Sequence, residues 1–147
     1  MTFFCKRFDD LTPSEVYEIL KARCEVFLLE QRIICQDMDD VDYDALHFFI
    51  KEGKTVLACL RLHELKDDAT AVKIGRVLTR DHRKGMGRAL LEYALDTVKR
   101  TGERRRVVVH AQTQAEGFYA KCGFRTVSDV YMEDGIPHVT MEQILDK

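Results

Sequence analysis

One short stretch of this sequence is best suited to chemistry: His82-Arg83-Lys84-Gly85-Met86-Gly87-Arg88. It follows a strand-like segment and precedes a segment with helical apolar spacing, so it forms the turn from a strand into a helix. The N–H groups of a helix's first turn have no helical partner, and the helix dipole adds partial positive charge. The glycines let a diphosphate approach this backbone, and the basic side chains favour it further. The stretch therefore predicts an anion site.

Taken alone, the same stretch also fits a tight turn with a solvated basic rim. It is not one of the two common phosphate loops. It lacks the third glycine of G-x-G-x-x-G and the G-K-[ST] ending of a P-loop. A nucleotide-binding enzyme that uses the same loop is therefore the weakest functional hypothesis.

A second motif follows one crossover later, comprising Gln112, Ala115, Phe118-Tyr119 and Gly123-Phe124. In this order the two motifs resemble those of the GNAT superfamily of N-acetyltransferases. Its cofactor motif is written [Q/R]-x-x-G-x-[G/A], and its later element is Asn/Gln, alanine, Phe-Tyr and Gly-Phe. The segments 23–31 and 134–138 further resemble the small bacterial ElaA-type branch. The resemblance covers nearly the whole chain.

The resemblance implies acetyl-CoA as co-substrate and no metal. In the family, the strand before the loop pairs with the pantetheine arm, here through Val77 and Thr79, and an N–H near Leu78 polarises the thioester carbonyl. His82 stands where Gln or Arg is usual, and Gln112 where Asn is commoner, but neither change removes a backbone donor. The implied cofactor-binding residues are Val77, Leu78, Thr79, His82, Arg83, Lys84, Gly85, Met86, Gly87, Arg88, Gln112 and Tyr119.

The resemblance also implies catalytic roles for Tyr119 and His138. Tyr119 matches the tyrosine that protonates the leaving thiolate, and its alternative role is packing beside Phe118. His138, in Gly-Ile-Pro-His, resembles a substrate-site histidine of glyphosate N-acetyltransferase, and its alternative is a structural strand histidine. His110 is interpreted as structural, with water relay as the other hypothesis.

The first helix walls the acceptor pocket in this family, which makes Arg23 and Glu30 candidate substrate-binding residues together with His138. The run 37–44 contains five aspartates that could attract a cationic amine or simply form a solvated loop. It is not an EF-hand, because the required glycine and terminal glutamate are missing at their spacing.

The five cysteines are scattered, without a C-x-x-C pair, so zinc and a disulfide framework are not expected. Cys24 and Cys59 have apolar neighbours and are predicted as small core residues. Cys122 is expected to pack rather than to act as a nucleophile. A reducing cytoplasm is the expected compartment.

The chain has 147 residues, of which 46% are hydrophobic and 33% charged, with a formal net charge of -2. These values predict one globular domain over residues 1–147 and give no sign of a nucleic-acid or membrane partner. The N-terminus does not resemble a signal peptide, and no apolar window approaches the length of a membrane span.

The pattern predicts the element order β-α-β-β-β-α-β-α-β-β. A capping box at Thr12-Pro13-Ser14-Glu15 begins the first helix, whose predicted apolar face includes Val16, Ile19, Leu20, Cys24, Phe27 and Leu28. Residues 31–45 are predicted as loop or broken helix. The other predicted strands are 2–8, 46–51, 55–64, 70–79, 106–110, 124–131 and 137–144, and the other helices are 85–102 and 113–122.

The unit from 70 to 110 requires a right-handed crossover between parallel strands. The predicted fold class is mixed α/β, a GNAT-like twisted central sheet with helices on both faces. The leading functional hypothesis is direct acetyl transfer from acetyl-CoA to a primary amine of a small molecule, peptide or lysine. The alternative is a non-catalytic acyl-CoA-binding or regulatory module. Family habit alone suggests a homodimer.

Overall fold

The computed structural model describes residues 2–80, 85–103 and 105–146. Their strands are β1 (Thr2–Arg7), β2 (Leu46–Glu52), β3 (Thr55–Leu65), β4 (Asp68–Thr79), β5 (Arg105–Gln112), β6 (Arg125–Thr126), β7 (Tyr131–Glu133) and β8 (Ile136–Leu145). The α-helices are α1 (Pro13–Arg23), α2 (Met86–Lys99) and α3 (Glu116–Lys121), and a π-helix, Cys24–Glu30, continues α1. Short 3₁₀ helices span Phe8–Asp10, Val41–Asp44 and Thr113–Ala115. None of the described helices is both long and apolar enough to cross a bilayer.

The strands form one sheet in the order β1-β2-β3-β4-β5-β8-β6, and β7 pairs with β8. β4 and β5 pair in parallel, and the other described pairs are antiparallel. The apolar stripe of α2 packs on one face of the sheet, whereas Ile19 and Ala22 of α1 pack on the other face against Phe49 and Cys59. The predicted mixed α/β fold with helices on both faces is therefore confirmed.

The parallel strands β4 and β5 separate after a short ladder. Their last paired residues are Ile74 and Val109, yet β4 continues to Thr79 and β5 to Gln112. The register of β4 against β3 shifts around Arg76, whose φ is 53°, and such a bulge bends the strand. The last residues of β4 therefore leave their β5-facing backbone groups open to a ligand.

The strand predicted over 124–131 is wrong in its middle, where the chain forms the separate strands β6 and β7. Ser128 lies in the break and explains it. Its hydroxyl accepts a hydrogen bond, 2.8 Å long, from the N–H of Thr140 in β8. That N–H is therefore taken by a side chain and not by a strand backbone. The helix predicted over 113–122 begins as a 3₁₀ turn and becomes α-helical at Glu116.

The predicted apolar face of the first helix is also partly wrong. Cys24 and Leu28 are exposed, whereas Glu15, Glu18 and Arg23 are buried. From Cys24 onward the chain is π-helical, and the wider turn rotates the following side chains away from their α-helical positions. Cys24 is therefore not a core residue, although Cys59 is buried as predicted.

Candidate active site

A cleft of about 600 Å³ lies between the end of β4 and the start of α2, and we call it the β4–α2 cleft. Its walls are Val77, Leu78 and Thr79 of β4, Gly85, Gly87 and Arg88 at the start of α2, and Phe118 and Tyr119 of α3. The first backbone hydrogen bond of α2 runs from the N–H of Ala89 to the carbonyl of Gly85, at 2.8 Å. Within the described residues the N–H groups that precede Ala89 in the helix have no backbone partner and are available to an anion.

Gly87 keeps this cleft wide. A Cβ at this position would lie 3.2 Å from Cγ2 of Thr79 and 3.7 Å from Cζ of Phe118. A larger side chain would therefore extend between the two walls. Gly85 has a φ of 86°, in the left-handed region that glycine adopts without strain, and it forms the N-cap of α2.

A second cavity, of about 250 Å³, adjoins the cleft and is called the His138 cavity. Besides His138 it is lined by residues of β4, β5 and the β7–β8 hairpin, among them Lys73, His110 and Glu133. Four residues line both spaces, namely Gln31, Val77, Ala115 and Tyr119. A larger depression of about 770 Å³ lies elsewhere and includes none of the predicted site residues.

Tyr119 stands at the junction of the two spaces. Its ring packs edge-on against Phe118 and Phe124, with centroid distances of 5.2 and 5.7 Å. The side chain is buried, and this burial raises the pKa of the phenol above its ordinary value of 10.0. The hydroxyl therefore stays protonated at neutral pH, where it can serve as a proton donor.

The two histidines of the cavity are linked by Glu133. Nδ1 of His138 lies 2.7 Å from the carbonyl of Ile136, which can only accept, so Nδ1 carries a proton and Nε2 is the nitrogen that bears the lone pair when the ring is neutral. Nε2 in turn lies 3.6 Å from Oε2 of Glu133. The other oxygen of Glu133 accepts from Nδ1 of His110 at 3.0 Å. One carboxylate therefore lies between the two rings and is hydrogen-bonded to His110.

His110 is tuned by its surroundings. Burial lowers the pKa of His110 below its ordinary value, and the charge of Lys73 lowers it further, whereas Glu133 acts in the opposite direction. Tyr131 completes the arrangement, because its ring stacks on His138 at a centroid distance of 6.3 Å. Its hydroxyl is 2.9 Å from Oγ1 of Thr140.

The acidic run does not form a solvated loop. Arg23, which is 1% exposed, donates to Asp37 at 2.9 Å and to Asp42 at 2.8 Å. Arg61 donates to Asp39 at 2.8 Å and to Asp42 at 3.1 Å. Arg76 joins the network through an ion pair with Asp37. These ion pairs hold the segment 37–42 against the sheet beside the His138 cavity. The paired aspartates therefore have a structural role.

The structure brings most of the predicted site residues together. Val77, Leu78, Thr79, Gly85, Gly87, Arg88 and Tyr119 line the β4–α2 cleft. Gln112 lines the His138 cavity instead, where its amide donates to Gln31 at 3.0 Å. Met86 packs its side chain into the core. His82, Arg83 and Lys84 lie outside the described residues.

Arg23 and Glu30 do not line either of these spaces. Arg23 is buried in the ion-pair network, and Glu30 is exposed at the end of the π-helix. Three other polar residues of the cavity, Gln31, Lys73 and Glu133, had no role assigned from the sequence. A signal for Lys73 does exist, because it is a charged residue between the apolar residues Val72 and Ile74 of a strand. No group of three or more metal-ligating side chains occurs among the described residues.

Comparison with known proteins identifies the family. A model described as an acetyltransferase (GNAT) domain matches residues 10–145. The chain is 37% identical to a UPF0039 protein of Schizosaccharomyces pombe, over 96% of this chain and 95% of that protein. The chain belongs to the GNAT acetyltransferase family. It is also 35% identical to the protein ElaA of Escherichia coli, over 90% of this chain and 89% of ElaA.

Solved structures of the GNAT family agree with this assignment. An acyl-CoA N-acyltransferase from Pseudomonas aeruginosa superposes with a TM-score of 0.89 at 35% identity, covering 97% of this chain and 99% of that one. The crystal structure of Escherichia coli ElaA gives a TM-score of 0.88 at 32% identity, covering 97% and 98%. The resemblance to GNAT proteins of the ElaA type, stated from the motifs, is therefore confirmed. Members of this family use an acyl-CoA, and membership supports acyl transfer.

Proposed function

We propose that this protein is an N-acetyltransferase that transfers the acetyl group of acetyl-CoA directly to a primary amine. The observation that carries the proposal is the position of Tyr119 at the junction between the β4–α2 cleft and the His138 cavity. A thioester in the cleft and an amine in the cavity would meet at this point. Because the two reactants can meet directly, no covalent intermediate on the enzyme is needed.

The described residues of the cleft suit the cofactor. Among the described residues the N–H groups of Met86 to Arg88 have no backbone partner, so they favour the diphosphate. The side chain of Arg88, which is paired with Glu92, lines the same cleft. The unpaired edge of β4 at Val77 and Thr79 can form strand-like hydrogen bonds with the pantetheine amides. An N–H near Leu78 would polarise the thioester carbonyl. His82, Arg83 and Lys84 are proposed as further phosphate contacts, and Gln112 as a further cofactor contact.

We assign the proton transfers to Tyr119 and His138. The amine nitrogen forms a bond to the carbonyl carbon while the carbon–sulfur bond breaks. Nε2 of His138, which bears the lone pair when the ring is neutral, takes the proton from the amine, and the carboxylate of Glu133 stabilises the imidazolium so formed. Tyr119 gives its proton to the departing thiolate. The phenol and the imidazole then return to their starting states by exchange with solvent.

Three residues are proposed from the sequence to contact the acceptor, and each is supported by a different observation. His138 lines the cavity directly. Arg23 would act on the acceptor through Asp37, which it holds and which also lines that cavity. Glu30 would meet only the part of an acceptor that extends beyond the cavity. We also propose that the chain forms a single domain, that the protein is cytoplasmic and that it is a homodimer. Sedimentation of the purified protein would test the homodimer.

The experiment is an acetylation screen over a broad panel of primary amines. Release of free CoA thiol is measured, and acetyl-CoA binding is measured separately by calorimetry. Turnover of at least one amine is expected, with acetylation of its nitrogen verified by mass spectrometry. Binding of acetyl-CoA without turnover of any amine would contradict the proposal and favour the non-catalytic acyl-CoA-binding module. Binding of ATP in preference to acetyl-CoA would favour a nucleotide enzyme.

A further inference from the structure

Lys73 lies in the His138 cavity, on β4. Its neighbours Val72 and Ile74 are buried in the core beneath α2. Because side chains alternate along a strand, Lys73 points to the opposite face of the sheet, where α1 and the segment 37–42 lie. It is half-buried there, and its charge lowers the pKa of His110. The ammonium group therefore acts on the same small space as the histidines.

Within the part of the chain that the structure describes, Lys73 forms no hydrogen bond and no ion pair. Burial lowers the pKa of Lys73, and Glu133 only partly offsets this through its more distant charge. A lysine removed from water in this way is normally paired. Lys73 therefore lacks a close counter-ion.

Two of the carboxylates that line the cavity are already engaged by other side chains. Asp37 is paired with Arg23 and Arg76, and Glu133 is hydrogen-bonded to His110. Arg76 also lines the cavity, but its guanidinium is held by Asp37. Of the cations that line the cavity, Lys73 is thus the one that the fold leaves available to a ligand.

We propose that Lys73 binds a carboxylate on the acceptor, so that the preferred acceptor is an amine that also carries a carboxylate. This inference rests on the proposed acetyl transfer and specifies its substrate class. The amine would lie near His138 and Tyr119, and the carboxylate would extend along β4 toward Lys73. The four steps along β4 from Lys73 to Val77 span at most roughly 13 Å. The extended lysine side chain covers part of that distance, which favours an acceptor whose two ends are separated by several methylene groups.

The test compares ω-amino acids, from glycine to 6-aminohexanoate, with alkylamines of the same chain length. We expect kcat/KM to be about tenfold or more higher for the longer amino acids than for their matched alkylamines. In Lys73→Met this preference should fall to about twofold or less. Lys73→Arg should keep the preference. Lys66→Met, which removes an exposed lysine outside the cavity, is the matched control.

The possible outcomes separate this inference from the proposed function. If alkylamines react as well as the amino acids, or if Lys73→Met keeps the preference, the carboxylate assignment is wrong although acetyl transfer stands. If no amine reacts, the proposed function is wrong, and a binding measurement then tests whether Lys73 binds a carboxylate. Calorimetry with 6-aminohexanoate and CoA-saturated protein should then show an affinity that Lys73→Met lowers at least tenfold. Equal affinity in both proteins, or no binding to either, would overturn the assignment.

Discussion

At the scale of single residues, the fold prepares Tyr119 and His138 in different ways. Aromatic packing against Phe118 and Phe124 fixes the Tyr119 ring, and burial keeps its hydroxyl protonated. His138 is fixed by a hydrogen bond to a carbonyl, which determines the nitrogen that can accept a proton. Both residues could be named from sequence motifs. The role of Glu133 could not, because it depends on how the β7–β8 hairpin aligns with β5.

Replacing Tyr119 by Phe removes the proposed acid and leaves the ring packing intact. We expect kcat for the best amine to fall about 100-fold, whereas the affinity for acetyl-CoA should stay within about twofold because a single hydroxyl is lost. Thiol release and calorimetry measure the two quantities. Tyr17→Phe is the control, since the Tyr17 side chain is 66% exposed. An unchanged kcat in Tyr119→Phe would show that another group protonates the thiolate.

Replacing His138 by Gln removes the proposed base. Without it the amine proton has no acceptor on the protein, so we expect kcat for the best amine in His138→Gln to be about 100-fold lower. The affinity for acetyl-CoA should stay within about twofold, because the cleft proposed for the cofactor adjoins the cavity and does not contain His138. Thiol release and calorimetry measure the two quantities, with His63→Gln as control because His63 lies outside the cavity. An unchanged kcat in His138→Gln would exclude His138 as the base.

At the scale of elements, the start of α1 was predicted well and its continuation was not. The capping box is present, with Glu15 N–H donating to Thr12 at 3.1 Å and Thr12 N–H donating to Glu15 at 3.0 Å. This motif is local, so four residues suffice to predict it. The π-helix and the buried Arg23 depend on partners 14 and 19 residues later, Asp37 and Asp42, which helical periodicity does not reveal.

Glu15 also joins α1 to the sheet, and this contribution should depend on pH. Burial opposes its ionisation, but hydrogen bonds from Lys51, the Thr12 N–H and Lys6 outweigh it and lower the pKa from 4.5 to about 2. Because the folded-state pKa is depressed, the stabilisation is present above the unfolded pKa of 4.5 and disappears as the pH falls toward 2. Glu15→Gln should therefore lower the free energy of unfolding by about 2 kcal/mol at pH 7.

The difference between Glu15→Gln and wild type should shrink progressively below pH 4.5. Urea unfolding at several pH values measures it, since glutamine keeps the size of the side chain and an acceptor for the cap. Glu52→Gln is the control at an exposed position. A penalty that stays constant down to pH 2.5 would mean that packing or capping, and not the charge of Glu15, produces the effect.

At the scale of the whole molecule, the sheet consists of two parts that are joined where β4 and β5 begin and separated where these two strands end. The antiparallel strands β1 to β4 form one part, and β5, β8, β6 and β7 form another, and the short parallel ladder joins them. The sequence predicted this crossover because a strand, a helix and a strand follow in order. The position of the opening was harder to predict from the sequence, because it depends on the bulge at Arg76 and on the ion pair of Arg76 with Asp37.

A ligand in this opening would contact both parts of the sheet and should stabilise the whole fold. Acetyl-CoA at 100 times its Kd should raise the free energy of unfolding by about 2.7 kcal/mol, which thermal unfolding measures as a higher Tm. Gly87→Val should abolish this rise, because its side chain would extend between Thr79 and Phe118. Gly117→Ala, where a Cβ meets nothing within 4 Å, is the control and should keep it. The ligand-free Tm of each variant separates loss of binding from loss of folding. A full rise in folded Gly87→Val would place acetyl-CoA outside the β4–α2 cleft.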